Sequence, residues 1–267
     1  MRPLLAALVI CLAPMVALAQ TETIQPAKAE KTTETRVLAL KSGSSLTVKN
    51  VIGAVSVEAW DREVVEFRGE FKPSSRDEHV KVEIDRTAKG LEIVGRLPRN
   101  SEGWGYRGPE CRMELKVPRR VLAHISTVNG AVSLKGTQGE TSLESVNGAV
   151  TVSAHADGLK ASTVNGAIHV DSVQGALKLK TVNGAIEARD LDTQGGSLKA
   201  STVNGQVRIQ SAGLKGKLEA TTLNGSLNLK AKGAEQVEAS KRRLSAVFQG
   251  GTAAIDLSTV NGSITVE

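Results

Sequence analysis

The sequence predicts an all-β fold, a single-chain parallel β-solenoid with coils of about 18–20 residues. Thr127–Val132 reads Thr-Val-Asn-Gly-Ala-Val, and this segment returns with little change to the end of the chain. The asparagines of successive copies lie 18, 18, 18, 21, 20 and 37 residues apart. Apolar and polar residues alternate around each copy, which indicates β-strands. A short fixed period is typical of a stack of equivalent structural units.

Each copy of the repeat carries one asparagine, which we assign to a corner of the coil. The seven are Asn129, Asn147, Asn165, Asn183, Asn204, Asn224 and Asn261. Stacked coils would place these side chains in a column, where their amides can bond from coil to coil. We expect a structural corner ladder, because asparagine is favoured at turns for local reasons. The alternative is a polar binding stripe.

Two paths of the chain through Asn-Gly are considered, a tight hairpin and a gently bent strand. Asn-Gly between apolar runs is a strong hairpin signal. A two-residue hairpin would separate Val128 from Val132, whereas the two keep one parity along the chain. We therefore expect both valines on one face, and a corner where the alternation slips, between residues such as Thr181 and Val182. Glycine there would allow close backbone approach and a positive φ.

The N-terminus reads as a signal peptide over residues 1–19. Arg2 supplies a positive charge, Leu4–Val16 is mainly apolar, and Ala17-Leu18-Ala19 forms a cleavage site. The apolar stretch is too short to span a membrane, and no later stretch approaches that length. The mature chain is therefore expected to be exported, to the periplasm or to the cell surface and beyond, without a transmembrane segment.

The mature chain is predicted to form one domain. Residues 20–35 are polar and lack an apolar period, so they are expected to be a flexible N-terminus. Residues 36–267 form the β-solenoid, with degenerate coils over 36–120, where Ile52 takes the asparagine slot. Regular coils follow over 121–267. The last gap between asparagines is two periods, so one coil without the motif is expected around residues 241–247.

Composition limits the partners. The net charge is +6, or +5 once the leader is removed, which predicts mild attraction to an anionic glycan or lipid headgroup of the envelope. The basic residues are dispersed and aromatic residues make up 2% of the chain, so we expect no nucleic-acid partner. Cys111 is the one cysteine outside the leader. No intrachain disulfide can form, and we expect Cys111 to be buried as a small apolar residue.

Two irregular stretches are candidate binding sites. Trp104, Tyr106 and Arg107 lie on a glycine-rich stretch, and these residue types are enriched at binding hot spots. The alternative is a loop that packs over the flank of the solenoid. Lys241, Arg242 and Arg243 lie where a Thr-Val-Asn segment would fall, and they could bind an anion. The alternative is a solvated charge run.

No catalytic or metal motif is present in the sequence. The four histidines, His79, His124, His155 and His169, have no metal-ligand spacing, and we expect no metal and no cofactor. Parallel β-helices also carry polysaccharide lyases and hydrolases, and such an enzyme is the alternative function. It would need clustered carboxylates and aromatic platforms. The outward positions of the second strand instead read as a mixed solvated face, and we expect no enzyme.

Several segments carry a resemblance to a known family. Leu46–Asn50, Gly53–Asp61, Met113–Pro118 and the serial Thr-Val-Asn-Gly-Ala-Val coils resemble the bacterial DUF4097 proteins, which are candidate adhesins of the cell envelope. The resemblance covers about residues 36–267. It implies a β-strand-repeat fold and an exported, adhesin-like function at the cell surface or in the envelope. A purely structural envelope-stress protein with the same fold is an alternative. It implies no catalytic residues.

Overall fold

The structure is a computed structural model, and it describes residues 21–26, 30–74, 78–99, 108–192, 196–212, 214–248, 250 and 252–267. All regular elements in these ranges are β-strands. The all-β prediction is thus confirmed. The described ranges hold no helix that is long and apolar enough to cross a membrane. The predicted signal peptide lies outside the described residues.

The first strands of the chain build one end of the fold. They are β1 (Thr21–Ile24), β2 (Thr32–Ala39), β3 (Ser45–Ile52), β4 (Val55–Trp60), β5 (Val64–Lys72), β6 (Lys81–Thr87), β7 (Gly90–Arg96) and β8 (Glu110–Pro118).

The regular repeat supplies paired strands. These are β9 (Leu122–Asn129), β10 (Val132–Lys135), β11 (Thr141–Asn147), β12 (Val150–His155), β13 (Leu159–Asn165), β14 (Ile168–Val173), β15 (Leu177–Lys180), β16 (Ile186–Arg189), β17 (Leu198–Asn204) and β18 (Val207–Gln210). The last part of the chain adds β19 (Gly216–Asn224), β20 (Leu227–Leu229), β21 (Ala234–Ala239), β22 (Arg243–Phe248), β23 (Ala254–Asn261) and β24 (Ile264–Val266).

Two sheets face each other across the core. Sheet A has 13 strands in the order β1-β6-β7-β3-β9-β11-β13-β15-β17-β23-β19-β22-β21. Sheet B has 11 strands in the order β2-β5-β8-β4-β10-β12-β14-β16-β18-β24-β20. Each coil contributes one strand to sheet A, turns at Asn-Gly, and contributes the next strand to sheet B. Equivalent strands pair in parallel and in register, as Asn147 does with Asn129 and Asn165. This is the predicted parallel β-solenoid.

The hydrophobic core lies between the sheets. The inward residues of sheet A, such as Ile125 and Leu143, are fully buried, as are Val132 and Ile186 of sheet B. At about 25 cal/mol per Å² of apolar surface, burial along the whole stack is the main stabilising term. The outward residues of both sheets therefore form two long solvent-facing surfaces.

The first part of the chain departs from the predicted degenerate coils. β3 and β4 do form a coil, in which Ile52 pairs with Asn129 as expected. β7 and β8 form another, stacked in parallel below it. β5 and β6, however, pair antiparallel with β8 and β7. The prediction of degenerate coils over 36–120 is therefore wrong for β5 and β6, which form antiparallel strands and not coils.

The predicted flexible segment 20–35 is also wrong where the structure describes it. β1 pairs antiparallel with β6, and β2 pairs antiparallel with β5. The polar composition misleads because these strands lie at the outer ends of the sheets. Only alternate residues such as Ile24 and Leu38 reach the core there.

The expected motif-free coil at 241–247 is replaced by an antiparallel hairpin. β21 and β22 extend sheet A beyond β19, with β22 antiparallel to β19. The final coil, β23 and β24, inserts between the coil of β17 and β18 and the coil of β19 and β20. The outermost strand, β21, carries a register shift and a positive φ at Gln236. Such irregularity protects a sheet edge against strand addition.

Cys111 is fully buried, which confirms the expectation. Its side chain lies in the inward row of β8 with Met113 and Leu115. Burial, followed by the charge of Glu110, raises the pKa of the Cys111 thiol to about 12. The thiol is therefore protonated at neutral pH and is not a nucleophile in the folded protein.

His155 is a buried titratable residue at the end of β12. Its Nδ1 lies 3.0 Å from the hydroxyl of Thr137, and the side chain is 2% exposed. Burial lowers the pKa of His155, and the backbone at Gly158 and Thr137 and the charge of Asp157 oppose that shift without cancelling it. The residue paired with His155 on the next coil is Val173, so an apolar side chain fits the equivalent position.

We expect His155 to make the fold less stable in mild acid. A histidine with a lowered folded pKa binds its proton preferentially in the unfolded state. Stability is therefore lost as the pH falls below the unfolded pKa of about 6.5. His155→Val should remove this part of the pH dependence of the melting temperature. The exposed-side control His124→Gln should keep it, and equal pH profiles for His155→Val and the parent protein would contradict the assignment.

Candidate binding surface on the outer face of sheet A

The repeated corner has the sequence Thr-Val-Asn-Gly, and its threonine, asparagine and glycine each contact the neighbouring coil. The threonine, or Ser145 in one copy, is buried at the end of each sheet A strand. Its hydroxyl donates to the glycine carbonyl of the neighbouring coil, as Thr163 does to Gly148 at 2.9 Å. The same bond joins Thr181 to Gly166 and Thr202 to Gly184, each at 3.0 Å. A buried carbonyl at each corner is thus satisfied.

The asparagine side chains form one continuous column. Each amide nitrogen donates to the amide oxygen of the adjacent coil, at 2.8–3.0 Å. The order along the column is Asn129, Asn147, Asn165, Asn183, Asn204, Asn261 and Asn224. Asn261 lies between Asn204 and Asn224 because the last coil inserts there. The side chains are exposed. The five inner asparagines each donate one hydrogen bond and accept one within the column, whereas Asn129 only accepts and Asn224 only donates.

The glycine of the corner is needed because neighbouring coils touch there. A Cβ at Gly166 would lie 2.1 Å from the carbonyl oxygen of Gly148, and Gly148 has the same relation to Gly130 at 2.0 Å. The regular corner glycines do not have a positive φ. The predicted close approach is therefore confirmed, and the predicted positive φ is wrong for these coils.

The valine of the corner points outward. Val128 is 40% exposed, whereas Val132 is fully buried, so the prediction that they share a face is wrong. The inward row changes parity across Val-Asn-Gly-Ala, because Thr127 takes the last inward position on β9. The chain passes from sheet A to sheet B within these four residues. The other outward aliphatic residues of this column are Val146, Val164, Val203, Val260 and Leu223.

A second column on sheet A is cationic. Lys160, Lys178 and Lys199 pair in register on neighbouring strands, which places them about 4.8 Å apart. Lys180 lies two residues further along β15 and points the same way. Lys199 is 3.4 Å from Asp256. Within the described residues, Lys160, Lys178 and Lys180 make no ion pair.

The lysine column borders an open groove of about 580 Å³. Leu122 and His124 lie at one end of it, and Lys199 lies at the other. Glu140 is the acidic residue on its rim. A carboxylate at this one place leaves the groove predominantly positive. Such a shallow groove with a row of cations can hold an extended anionic ligand.

Sheet B presents a different outer face, on which charges are compensated from coil to coil. Lys135 lies 3.1 Å from Glu58, and Lys230 lies 3.0 Å from Glu267. Glu187 lies 3.5 Å from His169 and also approaches Arg189. Sheet A also carries compensated pairs, such as Lys49 with Glu92 at 2.9 Å. The unpaired Lys160, Lys178 and Lys180 make its outer face the candidate binding surface.

The sequence predicted two other groups of binding residues. Trp104, Tyr106 and Arg107 lie outside the described residues. Lys241 and Arg242 are exposed in the turn between β21 and β22, and Arg243 opens β22, where its guanidinium lies 3.4 Å from Glu219. This cluster therefore belongs to a hairpin turn, not to a coil. Within the described residues, no group of histidine, cysteine and carboxylate side chains could hold a metal ion.

Sequence reasoning missed the lysine column, since it treated the basic residues as dispersed. A signal is present in the repeat. Leu159-Lys160, Leu177-Lys178 and Leu198-Lys199 hold the same dipeptide at the start of successive sheet A strands. The strand register converts this periodic dipeptide into one column. The valine column was missed because Val128 was assigned to the core.

Two solved structures are similar to this chain, whereas the curated proteins hold no match. A crystal structure described as a candidate cell adhesion protein from Clostridium sporogenes is similar, with 8% identity and a TM-score of 0.38 over 89% of this chain and 99% of that one. A candidate adhesin from Bacteroides fragilis is similar with 9% identity and a TM-score of 0.43, over 90% of this chain and 99% of that one.

A family model described as Toastrack DUF4097 matches residues 114–267. The matched range holds β9 to β24, with every copy of the Thr-Val-Asn-Gly corner and its Thr222-Leu223 variant. The resemblance identified from the repeated corner is confirmed over this range, which is more than half of the chain. The chain belongs to the Toastrack DUF4097 family.

Proposed function

We propose that this protein is an exported, non-enzymatic, adhesin-like β-solenoid that mediates interactions at the cell surface or in the envelope. The family assignment supports an adhesin-like role, and the leader sequence at residues 1–19 supports export. The observation that carries the proposal is the row of uncompensated lysines on sheet A. Lys160, Lys178 and Lys180 form a cationic patch on two neighbouring strands, which can bind an anionic component of the envelope.

Several features favour binding over catalysis. The outer faces of both sheets are open. On sheet B the outward side chains form a mixed row, Ser133, Thr151, His169, Glu187, Arg208 and Thr265. Glycan hydrolysis needs two carboxylates set about 5–10 Å apart around a bound sugar. On sheet B the carboxylate of Glu187 lies among His169 and Arg189 on an open face, without an enclosed pocket. The geometry supports a surface that holds a polymer or membrane component and does not transform it.

An attachment assay tests this proposal. We expect the triple variant Lys160→Gln, Lys178→Gln, Lys180→Gln to bind isolated envelopes at least about tenfold more weakly. Each basic residue near an anionic surface contributes on the order of 1 kcal/mol. The control variant Lys116→Gln, Lys135→Gln, Lys230→Gln removes the same charge from sheet B.

The control should retain binding, since its lysines already face Glu66, Glu58 and Glu267. Rising salt should weaken attachment of the parent protein, because exposed charges are screened. Equal loss of envelope binding in both variants would mean that attachment depends on the net charge of the protein and not on the face of sheet A. No loss in the sheet A variant would overturn the proposal that this face binds.

A further inference from the structure

We propose that the outer face of sheet A docks on an anionic lipid surface, with the corner valines inserted among the headgroups and the lysines bound to their phosphates. This inference rests on the proposed function and names the chemistry of its partner. It adds the valine column to the binding surface, as an element that a soluble polyanion would not use.

The corner motif leaves the valine without a structural task. Threonine satisfies a buried carbonyl, asparagine builds the ladder, and glycine permits the contact between coils. The aliphatic residue between them is 38–40% exposed in Val128, Val146, Val164, Val203 and Val260. β-propensity alone would explain a β-branched residue here. Leu223 occupies the same slot without β-branching and is 51% exposed, so the shared property is apolar surface.

The valine and lysine columns lie on the same face. On β13 the outward residues are Lys160, Ser162 and Val164, and on β17 they are Lys199, Ser201 and Val203. The two columns are four residues apart along each strand, or about 13 Å. The row between them is mostly serine, with Glu144 and Lys180 as the charged members. The face thus changes from cationic to apolar across one short strand.

This arrangement is typical of proteins that lie on a membrane surface. Apolar side chains enter the boundary between headgroups and acyl chains, while basic side chains reach the phosphates. The ridge of single aliphatic residues is narrow, so the attachment is peripheral and reversible. Its six exposed aliphatic residues extend over seven stacked corners, because Val182 of the remaining copy is less exposed.

Other occupants fit the face less well. A second copy of the chain would bring uncompensated lysines against each other in a protein of net charge +6. An anionic glycan would use the lysines, but it would gain little from a column of aliphatic side chains. An anionic lipid surface is complementary to both columns.

The test compares vesicles with a soluble polyanion. The probes are vesicles of phosphatidylglycerol and phosphatidylcholine, vesicles of phosphatidylcholine alone, and inorganic polyphosphate. The variants are the lysine triple, Lys160→Gln, Lys178→Gln, Lys180→Gln, and a valine triple, Val146→Thr, Val164→Thr, Val203→Thr. Threonine keeps the shape and the β-propensity of valine and replaces one methyl group with a hydroxyl. Circular dichroism checks that each variant folds.

We expect the parent protein to bind the anionic vesicles and not the neutral ones. The valine triple should bind anionic vesicles roughly tenfold or more weakly, because three methyl groups no longer enter an apolar phase. It should bind polyphosphate as the parent does. The lysine triple should lose affinity for both anionic probes.

Three results would overturn the inference. If the valine triple binds anionic vesicles like the parent while the lysine triple does not, the proposed cationic surface stands and the apolar insertion fails. If the parent binds polyphosphate but no vesicle, the partner is an anionic polymer and the lipid surface is excluded. Failure to bind any anionic probe would reject the inference and the cationic surface together.

Discussion

Replacing Gly166 with alanine is expected to destabilise the fold by about 3 kcal/mol or more. The added Cβ would lie 2.1 Å from the carbonyl oxygen of Gly148, a distance that non-bonded atoms do not adopt. Neighbouring coils would have to separate at this corner. The hydrogen bonds from Thr163 and Thr181 would be strained with them, because both end on these two glycine carbonyls.

A matched glycine provides the control for this prediction. A Cβ at Gly158, in the opposite turn of the coil, would come no closer than 3.6 Å to Glu140. Gly158 has no positive φ either, so neither substitution imposes backbone strain. Thermal unfolding should place Gly166→Ala roughly 6–12 °C below Gly158→Ala. Similar melting temperatures for the two variants would show that the coils are not in tight contact at the corner.

The repeat predicts the fold well because every coil forms the same corner and contacts its neighbours there in the same way. The regular return of Asn147, Asn165 and Asn183 sets both the coil length and the parallel register. The path through the corner could not be read in the same way. Val128 and Val132 are equally apolar, and Thr127 is polar but buried, so alternation of hydrophobicity alone assigns the wrong residue to the core.

The stacking order of the last coils cannot be predicted from the period of the repeat. The corners at Asn204, Asn224 and Asn261 carry almost the same residues, so each can stack on any other. The structure places Asn261 between the other two. β22 pairs with the edge of β19 that faces away from β23, so the final coil and the hairpin of β21 and β22 lie on opposite sides of β19. Local patterns do not encode such a choice.

The candidate binding surface, like the fold, could be predicted only in part from the sequence. The lysines and valines recur at fixed positions of the repeat, but the sequence does not show which side of the sheet their side chains face. Only the register shows that Lys160, Lys178 and Lys199 stand side by side. Only the parity change at the corner turns Val164 and Val203 outward onto the same face. Prominent aromatic or charged residues outside the repeat drew attention away from these regular columns.

If the outer face of sheet A binds the envelope, attachment should protect its lysines from chemical modification. Lysine acetylation, read by mass spectrometry, measures this protection. The protein is acetylated free in solution and while attached to isolated envelopes. Lys160, Lys178 and Lys180 report on sheet A, and the sheet B residues Lys135 and Lys230 serve as internal references.

We expect attachment to slow acetylation of the three sheet A lysines several-fold and to leave the acetylation rates of the two sheet B lysines unchanged. All five side chains are solvent-facing in the free protein, so each starts from a measurable rate. The opposite result would contradict binding by sheet A. In that case acetylation would slow at Lys135 and Lys230 and stay unchanged at Lys160, Lys178 and Lys180, which would place the binding surface on sheet B.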